Sequence, residues 1–180
     1  EKVKLRDSNY TITHYNNLIV VKSFGKTLGI PGIRLGAIYS NTKFIEKIKN
    51  KVPFWNVNSI ASFMISKMGE ENFKNELDQS IQQVSKDTFH LSQALTKVPE
   101  IKVYQPTGNY VLIKILNNMN SIELRNELLK ERIFVRDCSN KIGFKTKKYV
   151  RIASRTRKEN LAISRHIDML LADYDSDRSS

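Results

Sequence analysis

Residues 20–36 constrain the fold of this chain more than any other stretch. They read VVKSFGKTLGIPGIRLG, and they join an apolar run at residues 18–21 to a second apolar run at residues 35–39. Short apolar runs bounded by glycine and proline are typical of strands, and we predict that the first run is a buried strand. The stretch therefore predicts two strands joined by a loop that is rich in glycine and in reactive side chains.

Three side chains of this loop have complementary chemistry. Lys26 lies three residues after Ser23 and eight before Arg34. A lysine amine forms an imine with an aldehyde, while a hydroxyl and a guanidinium supply a donor and a permanent charge for a phosphate. Pyridoxal 5'-phosphate (PLP) carries both an aldehyde and a phosphate on one ring. We therefore predict a PLP site here, against the alternative of a surface loop with solvated charges.

The same segment resembles the cofactor-lysine segment of class I/II (fold type I) PLP-dependent aminotransferases, S-x-x-K followed by x-G-x-x-G-x-R-x-G. In particular it is similar to histidinol-phosphate aminotransferases and threonine-phosphate decarboxylases. The resemblance implies that Lys26 is the Schiff-base lysine and that Ser23 and Arg34 hold the cofactor phosphate. It also implies an α/β fold, the C-terminal part of the fold type I architecture, and a homodimer with sites at the interface.

The resemblance covers only the C-terminal half of such an enzyme. These families carry an Asp-x-x-Tyr strand upstream of the lysine, whose aspartate pairs with the pyridine nitrogen of the cofactor. Asp7 and Tyr10 have that spacing, but residues 6–9 are too polar for a central strand and too near Lys26. We do not transfer the role to Asp7. The glycine-rich turn, the stacking aromatic and the asparagine of the family are also missing, so we predict a portion of an enzyme that is not a complete catalyst by itself.

Composition restricts the class of protein and its compartment. The chain has 180 residues, and 40% of them are hydrophobic. No apolar run approaches the roughly 20 residues of a membrane span. The single cysteine, Cys138, excludes an internal disulfide and favours a reducing cytoplasm. We predict a cytoplasmic globular protein without a membrane partner, and no histidine or cysteine cluster with metal-ligand spacing.

The formal net charge of +12 raises the alternative of a nucleic-acid partner. The lysines are scattered along the chain and interleaved with acids, which argues against a dedicated binding stripe. We keep an inactive basic fragment that binds RNA or DNA as an alternative function. A salt-sensitive affinity for nucleic acid without affinity for PLP would favour it.

The segment after the second strand predicts two helices and a candidate substrate contact. Residues 41–51 are expected to form a helix capped by Asn41 or Thr42. Residues 53–61 resemble the P-x-x-V-N segment of the same families. Trp55 either lines a substrate mouth or packs in the core, and Asn58 is expected to cap the next helix.

A long helix follows at residues 70–98, after a shorter one at residues 59–67. Its apolar residues recur at steps of three, four and seven, which predicts an amphipathic helix with a continuous buried stripe. The stripe comprises Phe73, Leu77, Ile81, Val84, Leu91 and Leu95. Pro99 ends the helix.

Beyond residue 99 the pattern changes to short alternating strands and helices, which predicts a small α/β domain. Ser121 is expected to cap the first helix of this part. The expected strands are 101–104, 110–116, 133–136 and 149–153, and the expected helices are 121–130 and 157–172.

A second group of candidate residues lies in this small domain. The segments R-D-C-S-N at 136–140 and R-I-A-S-R-T at 151–156 resemble segments of the threonine-phosphate decarboxylase side of the family. The resemblance implies that Arg151 binds the anionic group of the substrate and that Asn109 faces it. Alternation along a strand places Arg155 on the face of Arg151. A solvated charge is the alternative for Arg155 and for Arg136.

These observations combine into one prediction of organisation and function. Residues 1–69 are the remainder of a large PLP-binding domain, 70–98 a connecting helix, 99–173 a small α/β domain and 174–180 a flexible tail. The function is aminotransfer between an oxo acid and a small amino substrate that carries a carboxylate, phosphate or phosphonate. Decarboxylation of an amino-acid phosphate is the alternative within the family.

Overall fold

A computed structural model describes residues 15–144 and 146–176 of the chain. Asp7 and the last four residues of the expected tail lie outside this range. The chain divides into two compact units after Leu77, which are called here the N-terminal unit and the C-terminal unit. No helix in the described ranges combines the length and the apolar character that a membrane crossing requires.

The N-terminal unit contains a two-stranded antiparallel sheet. Strand β1 (Val20–Ser23) pairs with β2 (Gly36–Tyr39). Between them lie the one-turn helix α1 (Phe24–Thr27) and a 3-10 helix at Pro31–Ile33. The prediction of a buried strand was wrong, because Val21 is 72% exposed. The sheet has two strands, and most of their described side chains are exposed. Apolar composition alone therefore did not predict burial here.

Two capped helices complete the N-terminal unit. Helix α2 spans Thr42–Lys49, and the Asn41 side chain accepts a hydrogen bond from the amide of Phe44 at 3.0 Å. Helix α3 spans Ser59–Met68 and is capped by Asn58. Both caps confirm the sequence-based expectation, since asparagine is among the preferred N-cap residues.

Helix α4 spans Glu71–Leu95 and is buried only toward its C-terminal end. Leu91 and Leu95 are fully buried, but Ile81 and Val84 are nearly half exposed. The predicted continuous stripe was therefore wrong in its middle. Helical periodicity identifies the apolar side of a helix, and only the turns that meet a packing partner bury it.

The C-terminal unit is built on a four-stranded antiparallel sheet with strand order β3-β4-β6-β5. Its strands are β3 (Ile101–Tyr104), β4 (Tyr110–Ile115), β5 (Arg136–Asp137) and β6 (Tyr149–Ala153). The expected strand at 133–136 is shorter than predicted. Of the expected run only Arg136 joins the sheet, and Asp137 extends the pairing by one residue.

Helices α5 (Ser121–Lys130) and α6 (Arg157–Ser176) belong to the same unit. The cap of α5 is Asn120 rather than the predicted Ser121. Asn120 and Glu123 form a capping box, in which each side chain bonds the backbone amide of the other residue. The Ser121 hydroxyl instead donates to the Asp137 carboxylate at 2.7 Å.

The two faces of this sheet differ in what they carry. One face is buried: Val111 and Ile113 of β4 are fully buried and join a core with side chains of α4, α5 and α6. Since side chains alternate along a strand, the intervening residues form the opposite face, called here the open face. From the strand register, the open face includes Tyr110, Leu112, Lys114, Arg136, Tyr149 and Arg151.

Candidate active site

The predicted cofactor segment forms a closed loop, called here the lysine loop (residues 23–36). The sheet holds both of its ends, because Ser23 pairs with Gly36 and the amide of Phe24 donates to the carbonyl of Leu35 at 3.0 Å. A loop with paired ends has few backbone conformations open to it. Ser23, Lys26 and Arg34 all lie on this loop, and their roles toward a cofactor stay predictions.

Lys26 lies in the single turn of α1 and is exposed. The turn is closed by a hydrogen bond of 2.8 Å from the amide of Leu28 to the carbonyl of Phe24. Gly29 follows with a φ of 67°, a conformation that glycine adopts readily after a helix. Ser23 precedes the turn, and its hydroxyl makes no capping bond. The hydroxyl and the amine therefore both face outward, three residues apart.

Gly25 fixes the distance between the lysine turn and the rest of the loop. A Cβ atom at this position would lie 3.2 Å from the carbonyl oxygen of Ile30 and 3.2 Å from the Cα of Pro31. Both neighbours are backbone atoms, which cannot move aside as a side chain would. The missing side chain of Gly25 thus allows the lysine turn to pack directly against the segment that leads to Arg34.

Arg34 ends the 3-10 helix in a left-handed conformation, with φ 52° and ψ 35°. Residues other than glycine and asparagine adopt this conformation infrequently. The preceding residue, Ile33, is 4% exposed, and its carbonyl oxygen accepts a hydrogen bond of 3.0 Å from the side-chain amide of Asn58. Arg34 itself is exposed. The Arg34 side chain is therefore exposed, while the backbone just before it is held by the hydrogen bond from Asn58.

The donor set of the lysine loop fits PLP. No ion pair in the described part of the chain involves Lys26 or Arg34, so the amine and the guanidinium are available to a ligand. A primary amine matches the aldehyde of the cofactor, and a hydroxyl with a guanidinium matches its phosphate. These three groups occur on one ordered loop whose ends are paired.

Trp55 lies outside any core. Its side chain is 97% exposed, and that of its neighbour Phe54 is 96% exposed. The backbone of Trp55 is left-handed, with a φ of 62°. The alternative that Trp55 packs as a core aromatic is therefore wrong for the described structure. Its role at a substrate mouth stays a prediction.

Arg151 of β6 lies on the open face of the sheet. Its guanidinium carbon is 5.0 Å from the centroid of the Tyr110 ring, a cation–π contact that restricts the position of the guanidinium. The side chain is partly buried, and no ion pair within the described ranges involves it. A partly buried arginine without an acid can bind an anionic ligand in a planar, bidentate manner.

Arg136 stands directly opposite Arg151 in the register of β5 and β6. Like charges at directly opposite positions of two strands destabilise a sheet unless an anion lies between them. Arg136 is not among the predicted site residues, since a solvated charge was the alternative for it in the sequence. The separation of Arg136 and Arg151 in the sequence does not indicate that they pair. The sequence feature that pointed to Arg136 was the R-D-C-S-N segment.

Asn109 and Arg155 lie near the ends of the neighbouring strands β4 and β6. The carbonyl of Asn109 accepts a hydrogen bond of 2.9 Å from the amide of Ser154. Strand β6 ends at Ala153, so the alternation that placed Arg155 on the face of Arg151 does not reach it. The Arg155 guanidinium instead lies 3.3 Å from a carboxylate oxygen of Glu159. Both substrate roles remain predictions.

Asp137 holds the segment that follows Arg136. One carboxylate oxygen accepts hydrogen bonds from the Ser121 hydroxyl and the Ser139 amide, and the other accepts from the Ser139 hydroxyl. Burial by itself would raise the pKa of Asp137, but these hydrogen bonds, with a smaller contribution from the charge of Arg125, hold the pKa below its usual value. Asp137 is therefore a charged anchor for β5.

Comparison with known proteins agrees with this arrangement. Residues 6–167 match the family model described as aminotransferase class I and II. The chain is 31% identical over 153 residues to an L-serine phosphate decarboxylase of Campylobacter jejuni, covering 84% of this chain and 39% of that protein. It covers less than half of that relative.

Two solved structures share the fold. A decarboxylase from Sulfurospirillum multivorans superposes with a TM-score of 0.84 at 30% identity, over 92% of this chain and 47% of that one. The histidinol-phosphate aminotransferase from Clostridium acetobutylicum superposes with a TM-score of 0.82 at 28% identity, over 93% and 49% respectively. The expected fold, part of the fold type I architecture, is confirmed. The chain belongs to the class I and II aminotransferase family, whose cofactor is pyridoxal 5'-phosphate.

Proposed function

We propose that Lys26 is the residue that binds PLP covalently and that Ser23 and Arg34 hold its phosphate. The observation that supports this assignment is the lysine loop, which presents an amine, a hydroxyl and a guanidinium from one segment with paired ends. Close packing at Gly25 keeps the lysine turn and the arginine segment in contact. The same loop would then hold both ends of one small ligand.

When bound, the cofactor supplies an electron sink that stabilises negative charge on the substrate carbon. Lys26 has the role of a proton carrier once its amine is released by the incoming substrate amine. Its Nζ atom would accept the proton from the substrate carbon as a general base, and would then donate it as a general acid to the carbon that receives the amino group. Its exposed position leaves the amine accessible for this exchange.

We further propose that Arg136 and Arg151 bind the anionic group of the substrate. Their opposite positions on β5 and β6, without an acid in the described ion pairs, favour a ligand with two negative charges. A phosphate satisfies two guanidinium groups through several oxygens, whereas a single carboxylate offers only two. The substrate class is therefore a small amine or amino acid that bears a phosphate.

Three further residues are proposed as weaker substrate contacts. Trp55 offers an exposed aromatic surface, and Asn109 lies at the start of β4 on the side where β6 ends. Arg155 would have to exchange its contact with Glu159 for a contact with substrate. A homodimer is also proposed, on family similarity alone.

Aminotransfer to an oxo acid is the reaction we propose, in keeping with the family description. Decarboxylation of an amino-acid phosphate is a second candidate, because two of the three similar proteins described above are decarboxylases. The two reactions differ in which bond of the substrate carbon is broken. They share the lysine, the phosphate contacts and the substrate arginines.

Borohydride trapping on the full-length protein tests the covalent assignment. Reduction should leave a pyridoxyl group on the peptide that contains Lys26, and Lys26→Ala should abolish the label. Lys22→Ala is a matched control, because Lys22 lies four residues away and contacts the Phe24 ring at 5.3 Å. A label that persists in the Lys26→Ala variant would refute the assignment. Absence of any label, together with salt-sensitive binding of RNA, would instead favour a nucleic-acid partner.

Product analysis then separates the two reactions. L-serine phosphate and histidinol phosphate are suitable probes, with an oxo acid as amino acceptor. Transfer of the amino group to the oxo acid would support aminotransfer. Release of carbon dioxide from L-serine phosphate without such transfer would support decarboxylation and exclude aminotransfer.

A further inference from the structure

Asn58 makes two hydrogen bonds that point in different directions. Its Oδ1 accepts from the amide of Ala61 at 2.9 Å and so caps α3. Its Nδ2 donates to the carbonyl oxygen of Ile33 at 3.0 Å, across 25 residues of sequence. A side-chain amide can accept through its oxygen and donate through its nitrogen at the same time. The capping role alone does not require the second bond.

The second bond acts on the peptide group that precedes Arg34. The carbonyl oxygen of Ile33 and the amide of Arg34 belong to one planar unit, so holding the oxygen restricts the φ angle of Arg34. That angle is 52°, in the left-handed region. The amide end of the unit has a longer contact, 3.5 Å, to the carbonyl of Pro31. Asn58 therefore makes the shorter of the two contacts that hold this unit.

Asn58 is itself exposed, but it bonds the backbone of two buried residues of the N-terminal unit. Ile33 is 4% exposed and Ala61 is 1% exposed, and Asn58 bonds the backbone of both residues. The left-handed conformation of Arg34 costs free energy, and it persists only where the surroundings hold it. The direction of the Arg34 side chain depends on the hydrogen bond from Asn58 to the Ile33 carbonyl.

We propose that Asn58 is a positioning residue for the cofactor phosphate, acting through the peptide group between Ile33 and Arg34. The inference rests on the proposed function, because it takes Arg34 as the phosphate ligand. Asn58 has no contact with the cofactor in this role. It determines where the Arg34 side chain points, and thereby how strongly the loop prefers a phosphorylated ligand.

The test compares PLP with pyridoxal, which lacks the phosphate. Asn58→Ser and Asn58→Asp both keep an oxygen that can cap α3, and both lose the Nδ2 atom that donates to Ile33. Equilibrium titration of the full-length apoprotein gives the dissociation constant of each ligand. We expect the preference for PLP over pyridoxal to fall roughly three- to tenfold in the serine variant, the range of one lost hydrogen bond. If the serine variant does not fold, the aspartate variant serves for the same comparison.

Asn41→Ser is the matched control. Asn41 caps α2 in the same unit and makes no described contact with the lysine loop. Its replacement should leave the preference for PLP unchanged. A loss of affinity for PLP and pyridoxal by equal factors in the Asn58 variants would show a merely structural role and would overturn the inference.

Arg34→Gln separates this inference from the proposed function. The substitution should itself lower the preference for PLP, and adding Asn58→Ser should lower it no further. An additional loss in the double variant would overturn the positioning role while leaving the phosphate role of Arg34 intact. An unchanged preference in the Arg34→Gln single variant would refute the proposed phosphate contact, and the inference with it.

Discussion

Gly25 and Pro31 are in backbone contact, with 3.2 Å between the position of a Cβ on the glycine and the Cα of the proline. The contact joins the turn that carries Lys26 to the segment that ends at Arg34. Glycine is needed here because of this close approach, whereas no left-handed backbone angle is involved. A methyl group at this position would be in tight contact with the backbone of the segment that leads to Arg34.

Gly25→Ala should disturb both stability and cofactor binding. The added methyl meets backbone on two sides, so the loop must shift, at a cost of about 1–3 kcal/mol in the free energy of unfolding. Urea unfolding and PLP titration measure the two effects. Gly32→Ala is the control, because a Cβ at that position meets nothing within 4 Å. Equal effects of the two substitutions would contradict this explanation.

Arg136→Gln should weaken substrate binding without weakening the fold. Removing one of two opposed charges relieves repulsion, so the free energy of unfolding of the unliganded protein should rise by at most about 0.5 kcal/mol at low salt. The KM for a phosphate-bearing substrate should rise roughly tenfold or more, since a charge-assisted contact is lost. Steady-state kinetics gives KM. Arg165→Gln, an exposed arginine of α6, should change neither quantity.

Trp55→Gly should leave the fold as stable as before or stabilise it by up to about 1 kcal/mol. The side chain is almost fully exposed, and its φ of 62° is one that glycine adopts without strain. If Trp55 contacts substrate, KM rises in this variant while the urea midpoint does not fall. Phe54→Ala is the control for loss of a neighbouring exposed ring. A rise in KM of the same size in both variants would argue against a specific contact by Trp55.

Asp137→Asn should alter the acid stability of the C-terminal unit. Because hydrogen bonds lower the pKa of Asp137 in the folded state, its contribution is fully present above the unfolded pKa of about 3.9. It is lost as the pH falls through the lower folded pKa. Wild type should therefore exceed the variant by about 1–2 kcal/mol at pH 6, and by less at pH 3.

Urea titrations at the two pH values measure this difference. Asp78→Asn, at an exposed position of α4, should give a difference near zero at both. A gap between wild type and Asp137→Asn that stays constant from pH 6 to pH 3 would show that the hydrogen bonds of Asp137 do not act on its charged form.

Local features of the fold could be predicted from the sequence. Asn41 and Asn58 were identified as caps because capping involves residues within one turn of each other. Strand and helix positions agree with the structure to within a few residues for most elements. Burial was predicted less well, since Val21 and Ile81 are apolar but exposed. Burial depends on which surfaces meet, and periodicity carries no information about the partner.

In the candidate site, too, local features could be predicted and long-range contacts could not. The lysine loop could be predicted because its chemistry lies within 14 consecutive residues, 23–36. The opposition of Arg136 and Arg151 requires the pairing register of β5 and β6, and the second bond of Asn58 spans 25 residues. Contacts of this kind are set by tertiary structure. They can be recognised only in the three-dimensional structure.

Strand β5 lies at the edge of its sheet and pairs through two residues only. The buried core of the unit takes its residues from the other strands, the helices and two connecting segments, and Arg136 is absent from it. Substitution of Arg136 can thus change the charge at this edge at little cost to folding, whereas Asp137 of the same strand is held by hydrogen bonds from Ser121 and Ser139. Under the proposed role of Arg136, selectivity for the anionic group is separable from stability, which would let descendants of one scaffold adopt new anionic substrates by a change at one peripheral position.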